Sequence, residues 1–216
     1  MDDREHIGRH GTALVISGPS GAGKTTVCKQ LLARQPDLHF SVSCTTRAPR
    51  PGETEGADYY FLTEKEFDRR AAGDEFLEFA SVHGNMYGTL RSEVERYVFS
   101  GQNVLLDIDV QGARQMRSRI IGSMLGYCTE YVFVGPPSFA EMERRLRGRG
   151  TDDENVIAKR LRNARAELGA WHEYDYLIIN ARVEAAVNLI QAILTASACA
   201  ARRVMNSPWN DLEVPS

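Results

Sequence analysis

Short apolar runs alternate along the chain with longer stretches of mixed polarity. Four of the runs predict strands buried on both faces, because they contain few polar positions; they lie at residues 12–17, 104–108, 131–134 and 177–179. The stretches between them are long enough for helices. Regular alternation of strand and helix is typical of a doubly wound α/β domain with a parallel sheet.

Capping boxes mark several of the predicted helix starts. In a capping box, a hydroxyl side chain and a carboxylate three positions later satisfy the first free amides of a helix. The sequence has this form at residues 63–66, 92–95 and 138–141, and an apolar stretch predicts a further helix near residues 181–203.

Two segments interrupt the alternation. Residues 44–90 contain short alternating runs at 59–62 and 76–81, which predict a small mixed β insertion. Residues 144–165 carry eight basic side chains on two predicted helices around residues 148–150. This second segment is a candidate lid. We therefore expect a loose N-terminus at 1–11, a core from 12–43, 91–135 and 168–201, the insertion at 44–90, the lid at 136–167 and a C-terminal tail at 202–216.

Composition limits the expected cellular location and the expected binding partners of the protein. The chain has 216 residues and a net charge of −3, so no overall positive charge argues for nucleic acid or membrane binding. Cysteines at positions 28, 44, 128 and 199 lack C-x-x-C spacing, which disfavours a zinc or redox site and suits a reducing compartment. The polar start is unlike a secretory signal, so we expect a cytoplasmic protein. Homo-oligomerisation is left open.

The strongest motif spans residues 18–25, which read GPSGAGKT and fit G-x-x-x-x-G-K-[ST] between a predicted strand and a predicted helix. Glycines let consecutive amides curl toward phosphate oxygens, and the helix start adds a positive dipole end. Lys24 is expected at the β and γ phosphates, and the Thr25 hydroxyl at Mg²⁺. The segment predicted to bind the nucleotide comprises Gly18, Pro19, Ser20, Gly21, Ala22, Gly23, Lys24, Thr25 and Thr26. It predicts a P-loop NTPase-type parallel sheet flanked by helices.

Two aspartates follow the strand predicted at 104–108 and lie two residues apart on one face. Asp107 is the expected support for Mg²⁺ and its waters, and Asp109 is expected to face the second substrate. An ordinary strand-end turn also favours aspartate. The nearby phosphate loop favours the functional interpretation.

A second phosphate-binding group is predicted in the insertion. Arg47 and Arg50 lie on a loop stiffened by proline, and a guanidinium fork can donate two bonds to one phosphate. Tyr59 and Tyr87 can add hydroxyl donors. A solvated basic loop would have a similar composition. The chain lacks the Asn-Lys-x-Asp base-recognition signature of GTPases, so a GTP switch is disfavoured.

With these motifs in this order, the chain resembles the guanylate kinases. The matching stretches are residues 17–24, 41–52, 56–61, 87–88, 106–112 and 145–151, and the similarity extends from about residue 13 to residue 194. The resemblance implies a core with the phosphate loop, a nucleoside-monophosphate domain and a lid. It also implies the reaction of ATP with GMP to give ADP and GDP, with Mg²⁺ bound to ATP and with dGMP as an expected second acceptor.

The resemblance assigns a role to each matching position. The GMP phosphate is assigned to Arg47, Arg50, Tyr59 and Tyr87. The guanine side is assigned to Ser43, Glu78, Thr89 and Asp109. The transferring phosphoryl group is assigned to Lys24, Arg145, Arg149 and Arg160, which with Arg47 form the expected catalytic set. Asn180 is assigned to the neighbourhood of adenine. Many relatives have serine where this chain has Cys44 and Thr89, which leaves the details of base contact open.

The chemistry of guanine independently supports the role of Glu78. Guanine presents two N–H donors beside the O6 acceptor, whereas adenine lacks that donor pair. A carboxylate can accept from both donors while the Ser43 hydroxyl donates to O6. Without the resemblance, an ordinary surface position on a strand would also explain Glu78.

Two other functions share these features. The first is a P-loop kinase for another small phosphorylated acceptor, and the second is a non-catalytic guanylate-kinase-like scaffold. Scaffolds of that kind typically lack a working phosphate loop, whereas Gly18, Gly23, Lys24 and Thr25 are all present here. The sequence therefore favours the enzyme.

Overall fold

The computed structural model describes residues 8–148 and 154–206 of the chain. Its strands are β1 (Ala13–Ser17), β2 (His39–Phe40), β3 (Cys44–Thr45), β4 (Tyr60–Phe61), β5 (Phe76–Val82), β6 (Asn85–Leu90), β7 (Val104–Asp107), β8 (Thr129–Gly135) and β9 (Tyr176–Ile179). Its helices are α1 (Lys24–Arg34), α2 (Glu64–Ala72), α3 (Arg91–Phe99), α4 (Val110–Ile120), α5 (Met124–Tyr127), α6 (Phe139–Arg147), α7 (Glu154–Leu168) and α8 (Val183–Ala198).

A parallel sheet of order β2-β7-β1-β8-β9 forms the centre of the described residues. Alternation along β1 divides the core into two layers, because successive side chains point to opposite faces of a strand. Leu14 and Ile16 pack with the buried residues of α1 and α8. Ala13 and Val15 pack with those of α3 and α4. The predicted α/β fold with a parallel sheet flanked by helices is confirmed.

A second sheet, of order β4-β3-β6-β5, is mixed: β3 and β4 are parallel, whereas β3–β6 and β5–β6 are antiparallel. It has its own small core, in which the rings of Phe67 and Phe76 stack with centroids 4.5 Å apart. This sheet confirms the predicted mixed β insertion. Two helices, α6 and α7, follow β8 as the pattern of the lid segment predicted.

Two of the three predicted capping boxes supply an N-cap. The hydroxyls of Thr63 and Ser138 accept hydrogen bonds from the amides of Glu66 and Glu141. The prediction at residues 92–95 was wrong. Strand β6 runs directly into α3, whose N-cap is Leu90, so Ser92 already lies inside the first turn.

Two further predictions need correction at the end of the sheet. Strand β9 is not buried on both faces: Ile178 is buried, but Tyr176, Leu177 and Ile179 are exposed because β9 is an edge strand. The last helix is shorter than residues 181–203. It ends at Ala198, and a separate 3₁₀ turn covers Ala201–Arg203. None of the described helices combines the length and the apolarity that a bilayer crossing requires.

The described parts of the two termini are packed, although both termini were expected to be loose. Arg9 pairs with Val204 in a short antiparallel bridge, and the Gly11 amide donates to the Val98 carbonyl at 2.8 Å. The Arg203 side chain is fully buried and lies 2.8 Å from the Glu130 carboxylate. These contacts are made by backbone pairing and by one buried guanidinium. Neither produces a periodic pattern of hydrophobic residues, so the sequence did not predict the packing of the termini.

Candidate active site

Several of the predicted functional residues meet at one edge of the central sheet. Parallel strands end together, so the residues that follow β1, β7, β8 and β9 lie at the same carboxyl edge. The phosphate loop follows β1 in the middle of the sheet, Asp107 ends β7, and Asn180 follows β9, where its amide donates to the Gly135 carbonyl at 2.7 Å. This edge is where ligands bind in open α/β sheets.

The phosphate loop requires its glycines. Gly18, Gly21 and Gly23 have φ angles of 140°, 86° and 87°, which residues other than glycine rarely adopt. A β-carbon on Gly18 would lie 2.2 Å from the Val134 carbonyl oxygen. A β-carbon on Gly23 would lie 2.6 Å from the side-chain nitrogen Nδ2 of Asn180. The loop is therefore pressed against β8 and Asn180, and only glycine fits that approach.

The Lys24 ammonium folds back over the loop. It donates to the carbonyl oxygens of Gly18 at 2.6 Å and Pro19 at 3.3 Å. Thr25 and Thr26 are exposed in the first turn of α1, which contains no acidic residue. Free amides and the helix dipole at this end attract an anion.

A cavity of about 270 Å³ opens over this loop, and its walls include Lys24, Thr25, Thr26 and Asp109. A slightly larger cavity of about 330 Å³ lies near the amino end of β8, with Thr129 and Glu130 in its wall. Because the larger cavity has no phosphate loop and none of the predicted site residues, we assign the chemistry to the smaller one.

The two predicted aspartates occupy different settings. Asp107 is half-buried, and burial raises the pKa of its carboxyl while the charge of Lys24 lowers it. Asp109 is the N-cap of α4 and accepts from the Gly112 amide at 2.7 Å. The Thr25 hydroxyl and the Asp107 carboxylate are hard oxygen donors of the kind that suits Mg²⁺, which takes one or two protein ligands beside phosphate oxygens.

Three of the residues assigned to guanine come together. The Thr89 hydroxyl donates to the Glu78 carboxylate at 2.6 Å, and burial raises the pKa of Glu78. A β-carbon on Gly112 would lie 2.9 Å from Glu78 Oε2 and 3.3 Å from Asp109 Oδ1, so both carboxylates flank that glycine. Ser43 is half-buried and immediately precedes β3. The first residue of β3, Cys44, pairs with Gly88 of β6.

The residues assigned to the GMP phosphate form a second cluster. The Arg47 guanidinium lies 5.4 Å from the ring centroid of Tyr59. The rings of Tyr59 and Tyr87 are 6.0 Å apart. The Arg50 side chain is exposed beside this group. One guanidinium and two aromatic rings that carry hydroxyls therefore lie together, and Arg50 is three residues along the same loop.

Sequence reasoning missed Glu53, which joins this cluster. Its carboxylate accepts from Arg47 Nη2 at 2.8 and 3.0 Å and from the Arg50 amide at 2.8 Å. The hydrogen bond with Arg47 lowers the pKa of Glu53 and raises that of Arg47. A glutamate after a Pro-Gly turn has no distinguishing pattern in the sequence, so no simple signal could have found it.

The three arginines predicted to lie on a lid are in different situations. Arg145 donates to the Asn180 carbonyl at 3.1 Å and the Ala22 carbonyl at 3.4 Å, and it also pairs with Glu141. Arg160 is half-buried on α7. Arg149 lies outside the described residues. Arg145 is therefore in contact with the phosphate loop from the side of α6.

Two more polar groups contact the loop backbone. Asn180 is buried and donates to the Ala22 carbonyl at 2.8 Å, which places its side chain behind the loop. Glu167, near the end of α7, accepts from the Ser20 amide at 3.3 Å and was missed from the sequence. Its role could not be predicted because an acidic side chain is unexpected beside phosphate-binding amides.

Comparisons with known proteins agree with this geometry. The family described as guanylate kinase matches residues 10–197. The guanylate kinase of Geobacter sulfurreducens is 43% identical over 92% of this chain and 95% of that relative. The guanylate kinase of Rhizobium meliloti is 47% identical over 88% of this chain and 84% of that relative. The crystal structure of guanylate kinase from Anaplasma phagocytophilum has a TM-score of 0.71 at 35% identity, with 93% of each chain covered.

Proposed function

This chain belongs to the guanylate kinase family, and we propose that it transfers the γ-phosphoryl group of ATP to GMP, giving ADP and GDP. One observation carries the proposal. Asp109 lines the cavity over the phosphate loop and also lies, across Gly112, beside Glu78 and Thr89. A donor site for polyphosphate is therefore contiguous with a buried carboxylate suited to guanine.

On the donor side, the amides of residues 18–25 and the Lys24 ammonium hold the triphosphate. The oxygens of Thr25 and Asp107 fit a Mg²⁺ ion, which would supply positive charge to the β and γ phosphates when it is bound with ATP. Asn180 and Arg145 support the loop through the Ala22 carbonyl. We keep the assignment of Asn180 to the neighbourhood of adenine as a prediction.

On the acceptor side, Arg47, Arg50, Tyr59 and Tyr87 hold the GMP phosphate. The ionised Glu78 accepts from guanine N1–H and N2–H, and the hydroxyls of Ser43 and Thr89 complete the site. Adenine would bring no such donor pair to the buried carboxylate of Glu78, and a mismatch of this kind lowers kcat/KM for the wrong base by a factor on the order of 10⁴. These contacts do not use the ribose 2′-hydroxyl, which supports dGMP as a second acceptor.

Catalysis follows from alignment and charge, because phosphoryl transfer needs little covalent chemistry from the protein. A GMP phosphate oxygen attacks the γ-phosphorus in line, the bond from that phosphorus to the β,γ-bridging oxygen breaks, and ADP leaves. Lys24, Arg145, Arg149 and Arg160 neutralise the charge that develops. The acceptor needs no dedicated general base, since a GMP phosphate is largely ionised near pH 7.

The proposal also assigns the larger segments. Residues 44–90 act as the GMP-binding domain and residues 136–167 as a lid that excludes water during transfer. The cytoplasm is the proposed location. Cysteines at all four positions are free, and Cys28, Cys44 and Cys128 are buried, which suits a reducing compartment.

A coupled assay with MgATP tests the function. The rate of ADP formation is measured with GMP, dGMP, AMP, UMP and CMP as acceptors. We expect efficient transfer to the two guanine nucleotides and a kcat/KM lower by orders of magnitude with the other three. A preference for AMP would contradict the guanine assignment. Failure of the protein to bind MgATP in a titration would indicate the scaffold instead.

A further inference from the structure

Among the described residues, Glu53 is the one carboxylate that accepts hydrogen bonds from both Arg47 and Arg50, two of the residues assigned to the GMP phosphate. Its two oxygens accept from Nη2 of Arg47 at 2.8 and 3.0 Å, and one of them also accepts from the Arg50 amide at 2.8 Å. The side chains of Arg47 and Glu53 are 15% and 19% exposed, so this pair is shielded from bulk water on most of its surface. Neither the family resemblance nor the sequence pattern pointed to this residue.

The contacts around Arg47 restrict its guanidinium on several sides. Nη1 donates to the Ala48 carbonyl at 2.7 Å, and the guanidinium carbon lies 5.4 and 5.9 Å from the ring centroids of Tyr59 and Phe61. A guanidinium has five N–H donors, and the bonds to Ala48 and Glu53 start from two of its three nitrogens. Donors therefore remain for the Tyr87 hydroxyl and for an incoming phosphate.

A carboxylate beside a phosphate site has two opposite effects. It repels the negative phosphate, which weakens binding. It also orders a long flexible side chain and the loop backbone before the ligand arrives, which lowers the entropic cost of binding. Because Glu53 holds one arginine by its guanidinium and the next by its backbone, and because the positive charge of Arg47 offsets the charge of Glu53, we expect ordering to outweigh repulsion.

We propose that Glu53 is a positioning residue, which holds Arg47 and the loop of Arg50 in the arrangement that receives the phosphate of GMP. This role rests on the proposed function. Glu53 itself does not touch the substrate. Its hydrogen bonds all go to Arg47 and the Arg50 amide, on the acceptor side.

The test is the variant Glu53→Gln, which keeps the shape and removes the charge. Its amide can accept from Arg47 through one oxygen only and turns an NH₂ donor toward the loop. We expect the KM and the Kd of GMP to rise about tenfold or more, which corresponds to the loss of a charge-assisted hydrogen bond. The Kd of ATP should stay within about twofold, and kcat at saturating GMP should fall by a smaller factor than the one by which the KM of GMP rises. Glu53→Asp, which keeps the charge, should recover part of the loss.

Glu55→Gln is the matched control. Glu55 lies two residues away and accepts from the Phe61 amide at 2.9 Å, but it makes no hydrogen bond with either arginine. Its substitution should leave the KM of GMP close to the wild-type value. Thermal unfolding of each variant checks that the fold, including the GMP-binding domain at residues 44–90, is intact.

The outcomes separate the two hypotheses. A KM for GMP that falls in Glu53→Gln would show that repulsion dominates, and an unchanged KM would show that Glu53 is a bystander; either result overturns the positioning role. A wild-type protein that binds ATP but phosphorylates no guanine nucleotide would instead overturn the proposed function, whatever the variant does.

Discussion

Lys24 and Glu78 illustrate how the fold prepares single charges before any ligand is bound. The Lys24 ammonium is oriented by two carbonyl oxygens of its own loop, at 2.6 and 3.3 Å. Glu78 is 9% exposed and receives a hydrogen bond from Thr89. Each side chain is thus held at the place where a charge of opposite sign, or a donor pair, is expected to arrive.

Replacement of Lys24 tests the donor site. Lys24→Met removes the only charge that the loop motif contributes, so we expect kcat to fall by about 10³-fold or more while GMP still binds. The coupled assay measures turnover, and calorimetry measures GMP affinity. Lys29→Met, at an exposed position of the same helix, is the control. Near-normal turnover of Lys24→Met would refute the assigned role.

The pH dependence of GMP binding tests the role of Glu78. Burial raises the pKa of this carboxyl, so its neutral form persists to a higher pH than in an exposed glutamate. The ionised form accepts both guanine donors, so its contribution to GMP affinity is complete above the raised pKa and is lost as the pH falls through it. Glu78→Gln should bind GMP about 10- to 100-fold more weakly at neutral pH.

The pH profile of the GMP Kd is measured for the wild type and for Glu78→Gln. The GMP phosphate titrates near pH 6 in both proteins, so the ratio of the two Kd values isolates Glu78. We expect this ratio to shrink as the pH is lowered. Two Kd profiles that stay parallel over the pH range would mean that the charge of Glu78 does not contribute to the binding of guanine.

At the scale of elements, α4 connects the two sheets. It begins at the carboxyl edge of the central sheet, where Asp109 caps it. Along the helix, Gln115 accepts from the Phe79 amide and Arg119 donates to the Phe76 carbonyl, both on β5. Because Glu78 lies between these two contacts, α4 sets the distance from the phosphate loop to the Glu78 carboxylate. Helix α7 makes a second contact with the phosphate loop, where the Ser20 amide donates to Glu167.

Gly112→Ala tests this bridge. Alanine favours helix formation over glycine by about 1 kcal/mol, but its β-carbon would lie 2.9 Å from Glu78 Oε2 and must displace that carboxylate. We expect the KM of GMP to rise about tenfold or more, with the Kd of ATP unchanged. Gly169→Ala, where an added β-carbon meets nothing within 4 Å, is the control. An unaltered KM would show that Glu78 can move without loss.

For the whole molecule, a buried ion pair joins the described ends of the chain to the central sheet. Arg203 contacts Glu130 on β8, the carbonyl of Cys128 and the hydroxyl of Thr12 just before β1. Burial lowers the pKa of Arg203, and the charge of Glu130 opposes that effect. The cluster lies at the amino ends of the two strands whose carboxyl ends hold the phosphate loop, so it stabilises the fold without touching the site.

Arg203→Ala should lower the free energy of unfolding by about 3–5 kcal/mol, because it leaves the buried Glu130 with a single arginine partner. Urea denaturation measures this loss, and kcat well below the melting temperature should be close to normal. Arg202→Ala removes the half-exposed partner of the same carboxylate and should cost less. Equal, small losses in both variants would argue against a structural role for the buried pair.

Much of the fold and part of the site could be predicted from particular residues. The strands β1, β7 and β8 follow from apolar runs, and the phosphate loop follows from Gly18, Gly23 and Lys24, because both signals are local. Edge position is not local, so the exposure of β9 was missed. The same holds for the start of α3, which depends on how β6 leaves its sheet, and for the packing of Arg203.

The sequence by itself determined the alternation of strands and helices, the glycine and lysine spacing of the loop, and which polar side chains were available for chemistry. Only the tertiary structure decided that Gly112 brings Glu78 to Asp109, that Glu53 holds Arg47, and that Arg145 and Asn180 support Ala22. Backbone periodicity and loop conformation depend on neighbours in the chain, whereas contacts across tens of residues depend on how separate elements pack.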